Sequence, residues 1–141
     1  MIRVRLLRPG SRVPIRASEH ASGFDLYACL ENEPIEVGQV PVLVGTGVAL
    51  EIPPGFDAQV RPRSGLAKQG VLSTFGTIDS DYRGELMVTL YTVAPGMTHT
   101  VHHGDRIAQL VISRLADVAF AEVEALGATA RGEGGHGSTG R

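Results

Sequence analysis

Glycine and proline divide much of this chain into short segments. The sequence contains 18 glycines and 8 prolines, and no stretch keeps a helical period for long. Turn-forming residues separate the intervening segments, as at Pro53–Gly55, Pro95–Gly96 and His103–Asp105. The chain is therefore predicted to fold from many short strands.

The segments between these turns have the composition of strands. Several are enriched in Val, Ile, Thr, Tyr and Phe, which favour extended backbone. The predicted strands are Ile2–Leu7, Phe24–Cys29, Ile35–Val37, Val42–Ile52, Phe56–Arg61, Leu86–Val93, Arg106–Ser113 and Val118–Ala125. One short helix is predicted from Ser64 to Gln69, with Ser64 as its cap and Gly70 at its end. This pattern indicates an all-β fold, closed or sandwiched.

Length and charge argue against several other classes of protein. With 141 residues, 43% of them hydrophobic, the chain is expected to form one domain with a real core. Its net charge of −2 gives no electrostatic case for nucleic acid or a membrane as partner. No apolar run approaches the roughly 20 residues that span a bilayer, and the single Cys29 fits a reducing compartment. We therefore expect a cytoplasmic protein.

Residues 127–141 differ from the rest of the chain. They contain six glycines and no large aliphatic residue, so they cannot form a core or a stable strand alone. One interpretation is a frayed end without function. The other is a mobile segment whose backbone, with Arg131, Ser138 and Thr139, wraps a phosphate chain. The predicted division is a β domain at 1–126 and a flexible glycine-rich tail at 127–141.

The segment GTIDSDYRG at 76–84 carries more chemistry than a turn requires. Between its glycines lie two carboxylates, a ring and a fixed cation, which are Asp79, Asp81, Tyr82 and Arg83. A polar hairpin tip is the simpler interpretation of such a segment. Four more segments share its polar character, namely ASGFDLYA at 21–28, RPRSGLAKQG at 61–70, GDRIAQLVI at 104–112 and RGEGGHGSTG at 131–140. Each of them alone reads as an ordinary turn, helix start or strand entry.

In this order and at these separations, the five segments resemble the homotrimeric dUTP diphosphatase (dUTPase) family. The resemblance covers the chain from about Ala21 to Gly140. It implies a distorted β-barrel or jelly-roll protomer, assembled into a homotrimer whose sites are shared between subunits. It also implies hydrolysis of dUTP to dUMP and pyrophosphate, with Mg²⁺ on the triphosphate and water attacking the α-phosphorus. Such an enzyme supplies dUMP and keeps uracil out of DNA.

The resemblance assigns roles to the residues of the segment at 76–84. Asp79 is implied as the carboxylate that orients and deprotonates the attacking water, and Asp81 is the rival candidate. Tyr82 would lie against the deoxyribose and leave no space for a 2′-hydroxyl group. A narrow hairpin that rejects the methyl group of thymine would accept uracil through the backbone of Gly76, Thr77 and Ile78.

The resemblance gives the phosphates a separate set of residues. Arg63, Ser64 and Gly65 would hold the α- and β-phosphates. Gln109 would contact the α-phosphate region, and Asp25 looks like the acid that reaches Mg²⁺ through water. The β- and γ-phosphates would be bound by tail residues, namely Arg131, Gly137, Ser138 and Thr139.

Two positions depart from the family pattern around the base. Ser73 stands where bacterial members often carry Asn, so base discrimination is expected to depend more on backbone and water. His136 stands where the family usually has Phe stacked on uracil. Imidazole stacks with less area, and its charge changes near about pH 6.5. His136 is therefore either a smaller ring over the site or a group whose protonation alters tail closure.

Other interpretations stay open at this level. The related dCTP deaminases have a similar fold, and Glu85 is present, but the Asp-Tyr-Arg-Gly run argues against deamination. A dUTP-responsive regulator would bind nucleotide and capture partner proteins, and a generic β-sandwich would carry an inert tail. Three histidines suggest a metal site without a fourth ligand at suitable spacing, namely His99, His102 and His103.

Overall fold

The structure, a computed structural model, describes residues 1–135 and consists mostly of short strands. Within that range the strands are β1 (Arg3–Leu6), β2 (Gly23–Tyr27), β3 (Ile35–Val37), β4 (Val42–Gly45), β5 (Val48–Glu51), β6 (Phe56–Arg61), β7 (Val71–Ser73), β8 (Gly76–Ile78), β9 (Met87–Thr92), β10 (His99–Val101) and β11 (Arg106–Arg114). One helix, α1, runs from Ser64 to Lys68. The predicted all-β class with one short helix is confirmed. Residues 1–135 contain no helix that is both long and apolar enough to cross a membrane.

The described strands pair in antiparallel fashion and form two larger sheets and two ladders. One sheet has the strand order β2-β11-β6-β8, and the other has the order β4-β9-β7. The two-stranded ladders join β1 to β5 and β10 to β3. Strands from the beginning and the end of the chain therefore meet in the four-stranded sheet.

Both larger sheets contribute to one hydrophobic core. Successive side chains of a strand point to opposite faces, so one face of each strand can be apolar. The core includes Leu26, Val60 and Leu110 from the four-stranded sheet, and Val44, Val88 and Leu90 from the three-stranded sheet. The outer face of the four-stranded sheet is left for polar side chains.

The segment predicted as one long strand, Val42–Ile52, is two strands in the structure. β4 ends at Gly45 and pairs with β9, whereas β5 begins at Val48 and pairs with β1. The chain turns between them at Gly47, whose φ of 68° is a conformation that glycine adopts far more readily than other residues. Apolar residues on both sides of the turn conceal this change of partner in the sequence, although β5 is mostly buried and β4 buries only Val44.

The predicted strand Val118–Ala125 is wrong for the described chain. Residues 116–126 form no ladder with another described strand and expose most of their side chains. A strand needs a neighbour for its backbone hydrogen bonds, and sequence composition cannot supply one. Three strands that the sequence did not predict, β7, β8 and β10, have three residues each, which is too short for a clear alternation.

The expected hairpin before Asp79 is a crossing between two sheets. β7 pairs with β9 in one sheet, and β8 pairs with β6 in the other. Helix α1 agrees with its predicted range to within one residue, but Ser64 is its first residue and not its cap. The cap position belongs to Arg63, whose carbonyl accepts the first helical hydrogen bond from Ala67, at 2.9 Å. Gly70 follows the helix with a φ of 80°, as its predicted place at the helix end requires.

Candidate active site

The register of the four-stranded sheet places predicted site residues side by side. Gln109 on β11 lies opposite Asp25 on β2 and opposite Arg61 on β6. The neighbouring position Leu110 belongs to the core, so Gln109 points to the outer face of the sheet. Two residues that are 84 positions apart in the chain thus become cross-strand neighbours.

Asp25 is buried and paired with two arginines. Its Oδ1 accepts a hydrogen bond from Nε of Arg63 at 3.1 Å, and its Oδ2 accepts one from Arg106 at 3.5 Å. Arg63 also donates to the backbone carbonyl of Arg106 at 3.2 Å. A buried carboxylate needs such partners to offset its lost hydration. The ion pair between Asp25 and Arg63 fixes the Arg63 guanidinium at the start of α1.

Gln109 holds the backbone between β6 and α1, next to Arg63. Its Nε2 donates to the carbonyl oxygen of Pro62 at 2.8 Å. Together these contacts hold the backbone that leads from β6 into α1. The cleft formed there has a volume of about 240 Å³, and its lining includes Asp25, Arg63, Ser64, Gly65 and Gln109. We call it the phosphate cleft, because guanidinium, amide and hydroxyl donors converge on it as they do on phosphate oxygens.

Residues of the segment at 76–84 form a second cleft with Glu85 and Met87, and we call it the Asp79 cleft. It has a volume of about 200 Å³, and its lining is Thr77, Ile78, Asp79, Tyr82, Glu85 and Met87. Asp79 is exposed and begins a turn in which the amide of Tyr82 donates to its carbonyl at 3.1 Å. Asp81 is also exposed. Arg83 supports the turn by donating to the carbonyls of Ser80 and Tyr82.

The two clefts lie apart in one protomer. Ile78 pairs with Ala58, and Gln109 pairs with Arg61, three residues further along β6. With about 3.3 Å per residue and about 4.8 Å between strands, the Cα atoms of Asp79 and Gln109 are about 16 Å apart. A carboxylate that activates water at a phosphate must lie within about two hydrogen bonds of it. One copy of the chain therefore does not bring Asp79 to its own phosphate cleft.

The remaining predicted residues lie elsewhere. Ser73 ends β7 and is 4% exposed, and its Oγ has no hydrogen-bond partner among residues 1–135. Arg131 is exposed and donates to the carbonyl of Gly134 at 2.7 Å. Four predicted residues fall outside the described range, namely His136, Gly137, Ser138 and Thr139. His103 accepts the amide hydrogen of Leu30 at Nδ1, at 3.1 Å, which gives it a structural role.

Sequence reasoning did not assign Arg106 or the ion pair between Arg8 and Glu85. Arg106 stands in the GDRIAQLVI segment, so its place beside a predicted motif was the available signal. The two members of the ion pair are 77 residues apart, and no local pattern connects them. Arg8 donates from both terminal nitrogens to Glu85, at 3.0 Å and 2.7 Å.

The pKa of Glu85 lies below its ordinary value. The hydrogen bonds from Arg8 are the largest cause, partial burial opposes them, and the amide of Gly47 adds to them. The pKa of Arg8 is raised for the same reason, since Glu85 accepts its hydrogen bonds. Both groups are therefore charged at neutral pH, and the pair is a permanent feature of the fold there.

The fold and the phosphate cleft define an all-β protein with a surface cleft whose lining includes Arg63, Ser64 and Gln109. Residues 10–140 match the family model of the dUTPases. A deoxyuridine 5'-triphosphate nucleotidohydrolase of Wolinella succinogenes is 49% identical over 99% of this chain and 94% of its own length. One of Helicobacter hepaticus is 47% identical over 99% of this chain and 88% of its own length.

A solved structure agrees with this match. The dUTPase of Staphylococcus bacteriophage 80alpha with dUpNHpp, in a variant with a single substitution, has a TM-score of 0.85 and 25% identity, over 100% of this chain and 99% of that chain. The chain belongs to the dUTPase family. The family predicted from the five segments is confirmed, and so is the enzyme class that it implied, a dUTP diphosphatase.

Proposed function

We propose that this chain hydrolyses dUTP to dUMP and pyrophosphate in active sites that copies of a homotrimer share. The observation that carries the proposal is the division of the predicted residues between two clefts. Residues suited to phosphates line one cleft, and the exposed Asp79 and Tyr82 line the other. Hydrolysis needs both sets at one α-phosphorus, and a second copy of the chain supplies the missing set.

In the phosphate cleft, Arg63, Ser64 and Gly65 bind the α- and β-phosphates. The ion pair with Asp25 holds Arg63 in place before substrate arrives, so little rotamer freedom is lost on binding. Gln109, fixed by its hydrogen bond to Pro62, contacts the α-phosphate region. These residues neutralise and orient the triphosphate.

Mg²⁺ is part of the proposal, held mainly by the substrate phosphates. Among residues 1–135 no three His, Cys, Asp or Glu side chains converge as a metal-binding group. Asp25 places both carboxylate oxygens on guanidinium groups, so it suits contact through water better than direct ligation. The ion would supply further neutralisation of the triphosphate charge. Among the structural neighbours, a mutant dUTPase from phage phi11 of S. aureus coordinates a structural Mg(II) ion.

Asp79 orients the attacking water and takes its proton. An exposed carboxylate is negatively charged at neutral pH and accepts hydrogen bonds from water. Tyr82 rests its ring against the deoxyribose and excludes a 2′-hydroxyl group by steric contact. The backbone of Gly76–Ile78 accepts uracil, and base discrimination depends more on backbone and water, because the buried Ser73 stands where bacterial members often carry Asn.

Two exposed apolar regions support assembly into a trimer. Residues 116–126 carry large apolar side chains in solvent, among them Val118, Phe120 and Leu126. β1 pairs with one described strand only, β5, and an apolar cavity of about 300 Å³ lies beside it. Patches of this kind are typical of protein interfaces. In the assembly one copy supplies the Asp79 cleft, a neighbour the phosphate cleft and the third copy its tail at 127–141.

This enzyme would act in the cytoplasm, where it supplies dUMP and keeps uracil out of DNA. The family membership supports this role, and the buried free thiol of Cys29 is compatible with a reducing compartment. The tail residues predicted from the sequence, including His136, complete the proposal over the base and the β- and γ-phosphates.

The experiment that tests the activity is pyrophosphate release from dUTP compared with dCTP, dTTP and UTP, with and without Mg²⁺. We expect release from dUTP alone at a substantial rate. Asp79→Asn should bind a nonhydrolysable dUTP analogue as the wild type does, with turnover reduced by about 10³-fold or more. Ammonia from dCTP, or an Asp79→Asn variant as fast as the wild type, would contradict the proposal.

Mixed oligomers test the sharing of sites. Asp79→Asn and Arg63→Ala are each expected to be inactive, and they are unfolded and refolded together in equal amounts. Random trimers should recover about a quarter of wild-type activity, because each mixed trimer has one site with both intact residues. Asp79→Asn mixed with Asp79→Ala is the matched control and should recover nothing. Absence of recovery in the first mixture would show that one copy supplies both residues.

A further inference from the structure

The ion pair between Arg8 and Glu85 lies directly after the segment at 76–84, which contains Asp79 and Tyr82. Its two hydrogen bonds run in parallel, from the guanidinium fork of Arg8 to both carboxylate oxygens. Arg8 also donates to the carbonyl of Cys29 at 2.9 Å. Both side chains are less than one quarter exposed. A forked pair with this burial is geometrically specific, in contrast to a flexible surface pair.

The turn between β4 and β5 is shaped to receive this pair. The amide of Gly47 donates to Oε1 of Glu85 at 2.7 Å. A Cβ atom at Gly45 would lie 2.6 Å from the same oxygen and 2.7 Å from a terminal nitrogen of Arg8. With contacts this short, the ends of the two side chains would have to move, so the glycine leaves the space that the ion pair fills.

The backbone that follows Glu85 is fixed as well. The amide of Leu86 donates to the carbonyl of Val48 at 2.8 Å, and the hydroxyl of Thr46 donates to the carbonyl of Leu86 at 2.7 Å. The side chain and the following peptide of Glu85 are thus both anchored to the β4–β5 turn. The carbonyl of Glu85 lies between these two anchors, the ion pair at its side chain and the hydrogen bonds of Leu86.

That carbonyl is the acceptor for Tyr82. The Tyr82 hydroxyl donates to the carbonyl of Glu85 at 3.0 Å, and its ring lies against Gly84. Tyr82 is otherwise exposed, so this hydrogen bond is what orients its ring at the Asp79 cleft. A continuous chain of contacts therefore leads from Arg8 through Glu85 to the ring.

We propose that Arg8 and Glu85 are positioning residues that hold the Tyr82 ring and thereby set the preference for a deoxyribonucleotide over a ribonucleotide. The inference rests on the proposed function, because it concerns the sugar subsite of the same reaction. Their part is to place Tyr82 and not to take part in the reaction. Loss of the pair removes the anchor at the Glu85 side chain, so the carbonyl of Glu85 is held through Leu86 alone and shifts, and the ring then yields to a 2′-hydroxyl group.

The test compares kcat/KM for dUTP and for UTP in Glu85→Gln and Arg8→Lys. Each variant should lower the dUTP/UTP ratio by about tenfold, because a misplaced ring no longer excludes the larger sugar. Glu51→Gln is the matched control, since it breaks the exposed pair between Arg3 and Glu51 on β1 and β5. That control should keep the wild-type ratio. A purely structural role would reduce the active fraction for both substrates equally and leave every ratio unchanged.

Tyr82→Phe supplies an independent route if a variant of the pair does not fold. Removing the hydroxyl should lower the ratio by a similar factor, and adding Arg8→Lys to Tyr82→Phe should lower it no further. A wild type without dUTP hydrolysis would refute the proposed function. A wild type that prefers dUTP, with Glu85→Gln or Tyr82→Phe within twofold of its ratio, would overturn this inference alone.

Discussion

At the scale of single residues, the two central acids of the candidate site are held in opposite ways. Asp25 is buried and engaged by Arg63 and Arg106, whereas Asp79 is exposed at the start of a turn. An engaged carboxylate positions its guanidinium partners, and an exposed one is free to bind water. The contrast supports our proposal that Asp25 positions Arg63 and that Asp79 takes the proton.

The first prediction concerns Glu85 and the way in which the free energy of unfolding depends on pH. Its pKa is lowered by folding, so its stabilising contribution is complete above the unfolded value of about 4.3 and is lost as pH falls through the folded value. We expect Glu85→Gln to lower the free energy of unfolding by about 1–3 kcal/mol at pH 7. The difference from the wild type should shrink below about pH 4, because the unfolded chain then binds a proton at Glu85 while the ion pair in the folded chain keeps the pKa of that carboxyl lower.

Urea unfolding between pH 3 and pH 7 measures this difference. Glu51→Gln serves as the control, because its partner Arg3 is largely exposed and such pairs contribute within about 1 kcal/mol. A difference between Glu85→Gln and the wild type that is the same at pH 3 and pH 7 would contradict the assignment of the stabilisation to the ionised pair.

At the scale of elements, the β4–β5 turn restricts the residue type at position 47. Gly47 combines a φ of 68° with a position where any Cβ would overlap the hydroxyl of Ser11. Gly55 has a φ of 83° but open space around a Cβ. Gly55→Ala should lower the free energy of unfolding by about 1–2 kcal/mol, the cost of a side chain at positive φ. Gly47→Ala should cost at least about 1 kcal/mol more, because overpacking adds to that strain.

The comparison of these two variants separates conformational strain from steric overlap. Thermal or urea unfolding of both in the same buffer is sufficient. Equal losses at Gly47 and Gly55 would mean that the Ser11 side chain moves aside without cost, and that the turn is less constrained than its contacts indicate.

The elements also show how far sequence reasoning extends. Strands with several alternating residues, such as β6 and β11, were predicted within a residue or two, because alternation survives without knowledge of partners. Val118–Ala125 was wrong because pairing is a property of the neighbour and not of the segment. The residues predicted to bind phosphates were singled out by their polar, glycine-containing segments, and their role stays a prediction. The Arg8–Glu85 pair, by contrast, spans 77 residues and leaves no local pattern.

At the scale of the whole molecule, two features point to assembly with further copies of the chain. One is the separation of the two clefts, and the other is the exposed apolar segment at 116–126. Fully burying a side chain such as Phe120 contributes about 1.5–3 kcal/mol. Phe120 and Val118 are largely exposed in the single chain, together with Leu126. In the proposed assembly, a second copy covers this segment, gains that free energy and supplies the cleft that one copy does not bring to Asp79. Assembly and catalysis are therefore expected to fail together when this segment is removed.

Two truncated chains separate assembly from closure over the substrate. A chain ending at Leu126 keeps the apolar segment and should remain a trimer by sedimentation, with pyrophosphate release from dUTP reduced by about 100-fold or more, because the groups for the β- and γ-phosphates are lost. A chain ending at Leu115 lacks the apolar side chains and should lose both the trimer and the activity. Full activity in the chain ending at Leu126 would remove the tail from the site. A trimer in the chain ending at Leu115 would place the interface elsewhere, on the faces of the sheets and not on residues 116–126.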